Sequence, residues 1–309
     1  MTFSRLLDAV AFCDNFPYTE AEVERTFGRS QRLFVNHVPV GLLTPDVVEK
    51  LVEWNDANGA PFLIEDSGIW FAHAKTAAKR SEVVRLLLED WRATNAFRAL
   101  KGKFIKTWIR ERADGVAFVM ERAGTILFGV TAFGVHVNVF TRREGGIKLW
   151  CARRSQTKPT WPGLLDQCVA GGIEHGTSVY NTVIKECKEE ANMPSTISKL
   201  AKNTGAIAYF CVSENGLQPE IQYVFDLEIP EDFVPEPADG EAECFYLWDL
   251  DEVKQRMLAG EFKPNCALVN IDFMIRHGYV NAANEPDYLS IIARLHRQIE
   301  FPLPRIPME

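Results

Sequence analysis

The stretch that most constrains this chain is Gly171–Met193, which reads GGIEHGTSVYNTVIKECKEEANM. A glycine-rich loop runs into a segment of helical spacing that carries Glu186, Glu189 and Glu190. At about 100° per residue, these three carboxylates fall within about 100° of one another on one helix face. Tyr180, Ile184, Cys187 and Ala191 recur at helical intervals and predict an apolar stripe on roughly the opposite side. Like charges one turn apart repel by roughly a few tenths of a kcal/mol, and an acidic run is ordinarily just a solvated helix face. The glycines in front tip the balance. A divalent cation relieves the repulsion, since Mg²⁺ takes a few carboxylates together with waters and phosphate oxygens. A residue without a Cβ lets backbone approach such an ion closely.

With 309 residues, the chain has room for two domains or one large one. Its net charge of −8 argues against a general nucleic-acid or anionic-membrane binder. A small anionic substrate needs only a local basic pocket and stays open. The seven cysteines are scattered without a CxxC pair, so they read as reduced thiols packed in cores, not a disulfide frame or a zinc site. No apolar run reaches the roughly 18 residues of a membrane span. The opening MTFSRLLDAVAFCDNF lacks the basic-then-apolar pattern of a signal peptide, so a cytoplasmic location with no membrane partner is expected. Serine-hydrolase GxSxG, Walker A and strand-borne GxGxxG motifs are missing from the sequence. Oligomeric state is not legible.

The pattern along the chain predicts an α+β protein. Residues 3–13 read as a helix, Gln31–Leu43 as strand material, and Thr44 with Pro45 as the start of a helix through Trp54. A hairpin at residues 62–71, a helix over 81–97 and two short strands over 115–128 complete a small α+β unit. From Gly129 the pattern changes to two antiparallel strands, the glycine loop, the acidic helix, a hairpin around Asn215-Gly216, a strand over 241–248 and further helices near the C-terminus. The expected division is 1–128 and 129–309, the second part a mixed sheet with helices on both faces.

Arg153, Arg154 and Lys158 stand at a strand end just before the glycine loop and are candidate grips for a diphosphate. Glu241 and Glu243 stand two apart at a strand start, and one of them is expected to face the site. His136 alternates with Val135 and Val137 and reads as a packed residue or a substrate contact. No second histidine stands at metal-ligand spacing from it.

Residues 171–193 resemble the signature of the Nudix hydrolases, in which a glycine, then a glutamate, precede Arg-Glu-apolar-x-Glu-Glu-x-Gly-apolar. Gly171 takes the glycine, Lys185 the arginine, Glu186 the first helix glutamate, Glu189 and Glu190 the pair, and Met193 the last apolar position. Thr177 stands where the upstream glutamate is expected and Asn192 where the final glycine is. Thr177 is a candidate helix N-cap, with Ser178 as competitor, and Asn is well suited to a left-handed cap. The resemblance implies an α/β/α sandwich and Mg²⁺, with Mn²⁺ as an alternative. It implies that Glu186 and Glu190, the Gly171 carbonyl and Glu189 ligate the metal, with Glu189 or a late-loop glutamate as base. Glu243 is preferred there over Glu241.

The run from Arg154 through Asp166, R-S-x-x-K-x-x-x-P-G-x-L-D, with FKPNCALV further on, is similar to the thiamine pyrophosphokinase-related Nudix branch, which places a small N-terminal domain before the Nudix domain. That resemblance implies a diphosphatase acting on thiamine diphosphate and preferentially on its oxo- and oxy-derivatives. Arg153, Arg154 and Lys158 would hold the phosphates, and Trp161 would stack on a ring. Two rivals stay in view. An isopentenyl diphosphate isomerase would need a cysteine where Ala170 stands, although Cys168 is near. A regulatory module with a weakened site would explain Thr177 and Lys185 but not three repelling glutamates.

Overall fold

The computed structural model describes residues 2–101, 106–112, 115–303 and 306–309. The chain begins with α1 (Leu6–Cys13) and α2 (Glu20–Phe27), then β1 (Gln31–Val35) and β2 (Val38–Leu43). Asn36, at φ 56°, turns the chain between these strands, so the strand material expected over Gln31–Leu43 is a hairpin. α3 (Pro45–Ala57) follows, then the hairpin of β3 (Phe62–Glu65) and β4 (Gly68–Phe71). α4 (Ala77–Ala93) starts ahead of the expected residue 81 because Thr76 accepts the Lys79 N–H at 3.3 Å and caps it. β5 (Lys106–Arg112), β6 (Gly115–Glu121) and the single turn α5 (Thr125–Phe128) lead to the second half. A 4-stranded sheet, ordered β2-β1-β4-β3, shares a core with α3 and α4 through Leu33, Leu43, Leu51, Ile69, Leu87 and Trp91.

The second half runs β7 (Ala132–Arg143), β8 (Gly146–Arg154), β9 (Leu165–Gln167), β10 (Val169–Gly172), α6 (Val179–Ala191) and α7 (Ser195–Ser198). It continues with β11 (Lys202–Ser213), β12 (Gly216–Glu228), β13 (Ala242–Asp249), α8 (Leu250–Leu258), α9 (Pro264–Arg276) and α10 (Tyr288–Leu295). The 7-stranded sheet is ordered β11-β12-β7-β8-β13, with β10 on β7 and β9 on β8. β12 is parallel to β7 while β7–β8 and β8–β13 are antiparallel, so the sheet is mixed. Val135, Val137 and Val139 alternate to one face and pack under α6. Leu149 and Cys151 pack on the other face under α8, α9 and α10. This is a helix–sheet–helix sandwich.

One element lies on the opposite side of the expected division. α1 gives Leu6, Val10 and Cys13 to the core beneath α8–α10. Phe16 stacks on Phe210 at 3.7 Å, and the fully buried Asp14 accepts the Phe210 N–H at 3.1 Å and Arg297 Nη1 at 3.0 Å. The first helix is thus bound to the 7-stranded half. Among the described residues no helix is long and apolar enough to cross a membrane.

Candidate functional site

The glycine loop and α6 bring the acidic residues together. Ser178, not Thr177, caps α6 by accepting the Asn181 N–H at 3.1 Å, and Asn192 ends it in the left-handed conformation at φ 51°. The buried residues of the helix are Val179, Thr182, Val183, Cys187 and Ala191. The apolar stripe is therefore rotated from the one expected: Ile184 and Tyr180 are only half-buried. This turns Glu186 and Glu190 toward β10 and leaves Glu189 exposed at the rim.

Gly171 receives the Glu186 side chain. A Cβ on Gly171 would lie 2.3 Å from Glu186 Cδ and 2.4 Å from Cγ, so any larger residue here would have to displace the Glu186 side chain. Glu190 accepts the Ala170 N–H at 2.8 Å, which ties the helix to the same strand. Burial raises the Glu190 carboxyl well above its ordinary range, and the charges of Asp166, Glu186 and Glu241 push it the same way. Glu186 is pushed up to about 6, first by burial, with Glu189 and Glu241 adding to it against the pull of Lys185. Lys185 lies 3.0 Å from Glu174, 3.6 Å from Glu186 and 3.6 Å from Glu189, so in the arginine position it bridges three acids.

Of the late-strand pair, Glu241 is the residue that approaches the helix glutamates. Its charge raises both Glu186 and Glu190, and it lines the small cleft with Glu190, Arg154, Asp166 and Cys168. Glu243, the residue favoured from sequence, is exposed and accepts the Gln156 N–H at 3.1 Å, which holds the 155–164 loop. The register of β13 against β8 shifts between Ala242 and Cys244, and this irregularity sets which acid faces inward.

The cations expected to grip a diphosphate have other duties. Arg154 is buried, pairs with Asp166, and donates to the carbonyls of Trp161 (3.0 Å) and Thr160 (2.8 Å). The two ends of the R-S-x-x-K…L-D run are thus an ion pair that closes the intervening loop. Arg153 donates to the Gly163 carbonyl at 2.8 Å and lies over the Tyr246 ring. Lys158 pairs with Glu241. Trp161 is exposed at the loop tip, with φ 52°.

His136 is buried on the face of β7 opposite α6, beside Asn265, with Nδ1 lacking a partner. Burial holds its pKa down to about 3, and the nearby charges of Lys263 and Arg122 act in the same direction. Lys263 is 4.0 Å from Asp166, whose other oxygen accepts Cys266 Sγ at 2.7 Å. Burial alone would raise Asp166, but Lys263 and Arg154 bring it below the usual carboxylate range. Asp166, Lys263 and Arg122 were not assigned from sequence. The first two sat inside the L-D and FKPN runs that carried the resemblance, and no local signal marked Arg122.

The donors gathered here are carboxylate oxygens, which a hard divalent cation takes. Among the described residues no three acids are already closed on one point. Raised, mutually repelling carboxylates beside a Cβ-free backbone therefore fit a cation chemically.

A family model for the NUDIX domain matches residues 132–266, and one for a domain of unknown function (DUF4743) matches residues 10–132. An uncharacterized protein of Saccharomyces cerevisiae is 41% identical over 198 residues, covering 60% of this chain and 58% of that one. Nudix hydrolase 20, chloroplastic, of Arabidopsis thaliana is 40% identical over 184 residues, covering 59% of this chain and 49% of the relative. Nudix hydrolase 24, chloroplastic, of the same plant is 38% identical over 179 residues, with 58% and 49% covered. The chain thus matches about half of the length of these relatives. With Gly171 seated on Glu186 and the paired glutamates on the helix that follows, residues 132–266 of this chain are a Nudix domain.

Proposed function

We propose that the protein is a divalent-metal-dependent hydrolase of small diphosphate compounds. The observation that carries the reading is the convergence of Glu186, Glu190 and Glu241 beside the Gly171 backbone. Glu186, Glu190, Glu241 and the Gly171 carbonyl would hold the ion, with Mg²⁺ as the first choice and Mn²⁺ as a substitute. When bound, such an ion offsets the charge that develops on the phosphate oxygens. The chain's own residues do the rest. Glu189, exposed at the rim, has room to take a proton from an attacking water. Lys185 restrains it from 3.6 Å. In this reading the chain is two units, 1–128 and 129–309, with α1 strapped onto the second.

The finer reading is thiamine diphosphate, and its oxo- and oxy-derivatives, hydrolysed to the monophosphate. The R-S-x-x-K-x-x-x-P-G-x-L-D run supports it, now with a physical role. Its ion pair Arg154–Asp166 and the Lys158–Glu241 pair fix the loop that carries Trp161 beside the carboxylates. The test is phosphate release with Mg²⁺ across thiamine diphosphate, its oxy-analogue, ADP-ribose and a nucleotide sugar. Preference for the thiamine compounds supports the finer reading. Preference for ADP-ribose overturns the substrate and keeps the hydrolase, and no release from any of them overturns both.

A further inference from the structure

We propose that Arg122, supplied by the segment ahead of the Nudix domain, is a binding residue for the substrate's anionic group. The placement rests on the second glycine of the loop. A Cβ on Gly172 would fall 1.4 Å from Arg122 Nη1 and 2.6 Å from its Cζ, so the guanidinium occupies the space a side chain would need. Gly171 and Gly172 are successive residues of β10 and face opposite ways. One bare Cα admits the Glu186 carboxylate from the α6 side, and the other admits a guanidinium from the His136 side. β10 pairs with β7, and among the described strands its other edge has no partner. A ligand at that open edge meets acids from one face and a cation from the other.

Arg122 also differs in its bonding from every other cation around the cleft. Arg154, Arg153, Lys158, Lys185 and Lys263 each lie against a carboxylate or a carbonyl. Among the described residues the Arg122 guanidinium makes no hydrogen bond or ion pair, although the residue is half-buried. A guanidinium carries five donors and is always charged, so at this half-buried edge its donors are there for an anionic ligand to take up. Its mount is firm. The turn Arg122–Gly124 is held by Thr125 Oγ1 donating to the Arg122 carbonyl at 2.7 Å, and Gly124 packs against Leu88 of α4. A planar fork so held suits two phosphate oxygens.

The inference rests on the diphosphate reading, and its test is chosen to fail separately. Methylenediphosphonate, which is not hydrolysed, is titrated into the full chain by calorimetry without metal and with Mg²⁺. Turnover is measured in parallel with Glu190→Gln as control. Arg122→Ala is expected to weaken diphosphonate binding and raise KM by about 10- to 100-fold, the worth of one charge-assisted contact, with kcat and Tm little changed. Arg122→Lys should recover part of the loss, and Gly172→Ala, which displaces the guanidinium, should reproduce it. If Arg122→Ala binds as wild type does while Glu190→Gln abolishes turnover, the inference is overturned and the hydrolase stands. If no diphosphate is turned over but binding still depends on Arg122, the inference holds as an anion site and the hydrolase falls. A loss of binding matched by a fall in Tm and unrecovered by Arg122→Lys assigns Arg122 to packing alone and overturns it.

Discussion

The bare Cα of Gly171 is seated against the carboxyl group of Glu186, at a separation where a methyl group would lie 2.3 Å from the carboxyl carbon. Gly171→Ala must therefore push Glu186 aside or bend β10. Misplacement of about 1 Å at a reacting centre costs about 100-fold in rate. Gly171→Ala is expected to lower kcat by that order with folding intact, as checked by circular dichroism and steady-state kinetics.

Glu241 and Glu243 separate the two roles that sequence left entangled. Glu241 faces Glu186 and Glu190, while Glu243 holds the Gln156 N–H. Glu241→Gln is expected to weaken Mg²⁺ affinity by about 10- to 100-fold, the scale seen when a metal site loses a supporting group. Glu243→Gln should leave the metal affinity unchanged. Titrating activity against Mg²⁺ for the two variants checks this.

Glu186 carries a pH signature. Its carboxyl is raised to about 6 from an ordinary 4.5, chiefly by burial, so protonation stabilises the metal-free fold. That contribution is full below pH 4.5 and is lost as the pH rises through 6. The isosteric Glu186→Gln is therefore expected to be more stable than wild type without metal at alkaline pH, by about 2 kcal/mol. The gap should close in acid. Added Mg²⁺ should stabilise the wild type and not the variant, which denaturant melts at several pH values will show.

Arg154 and Asp166 form a buried pair whose side chains are 10% and 11% exposed. Removing one partner strands the other, so Arg154→Ala is expected to destabilise the protein by about 3–5 kcal/mol. A chemical-denaturation curve measures it. A raised KM with unchanged stability would instead return Arg154 to the role of phosphate grip.

What was legible in the sequence was local. The glycine loop, the three helix glutamates and the Asn192 cap follow from spacing within one loop and one helix, and the hairpin turn residues were equally visible. What was not legible depended on partners far along the chain. The stripe Tyr180, Ile184, Cys187, Ala191 and the stripe Val179, Val183, Cys187, Ala191 are both helical, and only the sheet beneath α6 selects the second. Strand parity alone would put Glu241 and Glu243 on one face, and it is the register shift at Ala242/Cys244 that separates them. Arg154 looked like a free cation because its partner Asp166 lies across a loop. α1 reads as part of the first unit because it comes first, yet its apolar side fills the core beneath α9 and α10.

The central claim is that Glu186 and Glu190, beside Gly171, hold a divalent cation. Mn²⁺ binding followed by electron paramagnetic resonance tests it most directly. The account predicts Mn²⁺ bound by the wild type, displaced by Mg²⁺, and lost in Glu186→Gln and Glu190→Gln. Mn²⁺ binding of equal strength in the wild type and both variants would contradict it.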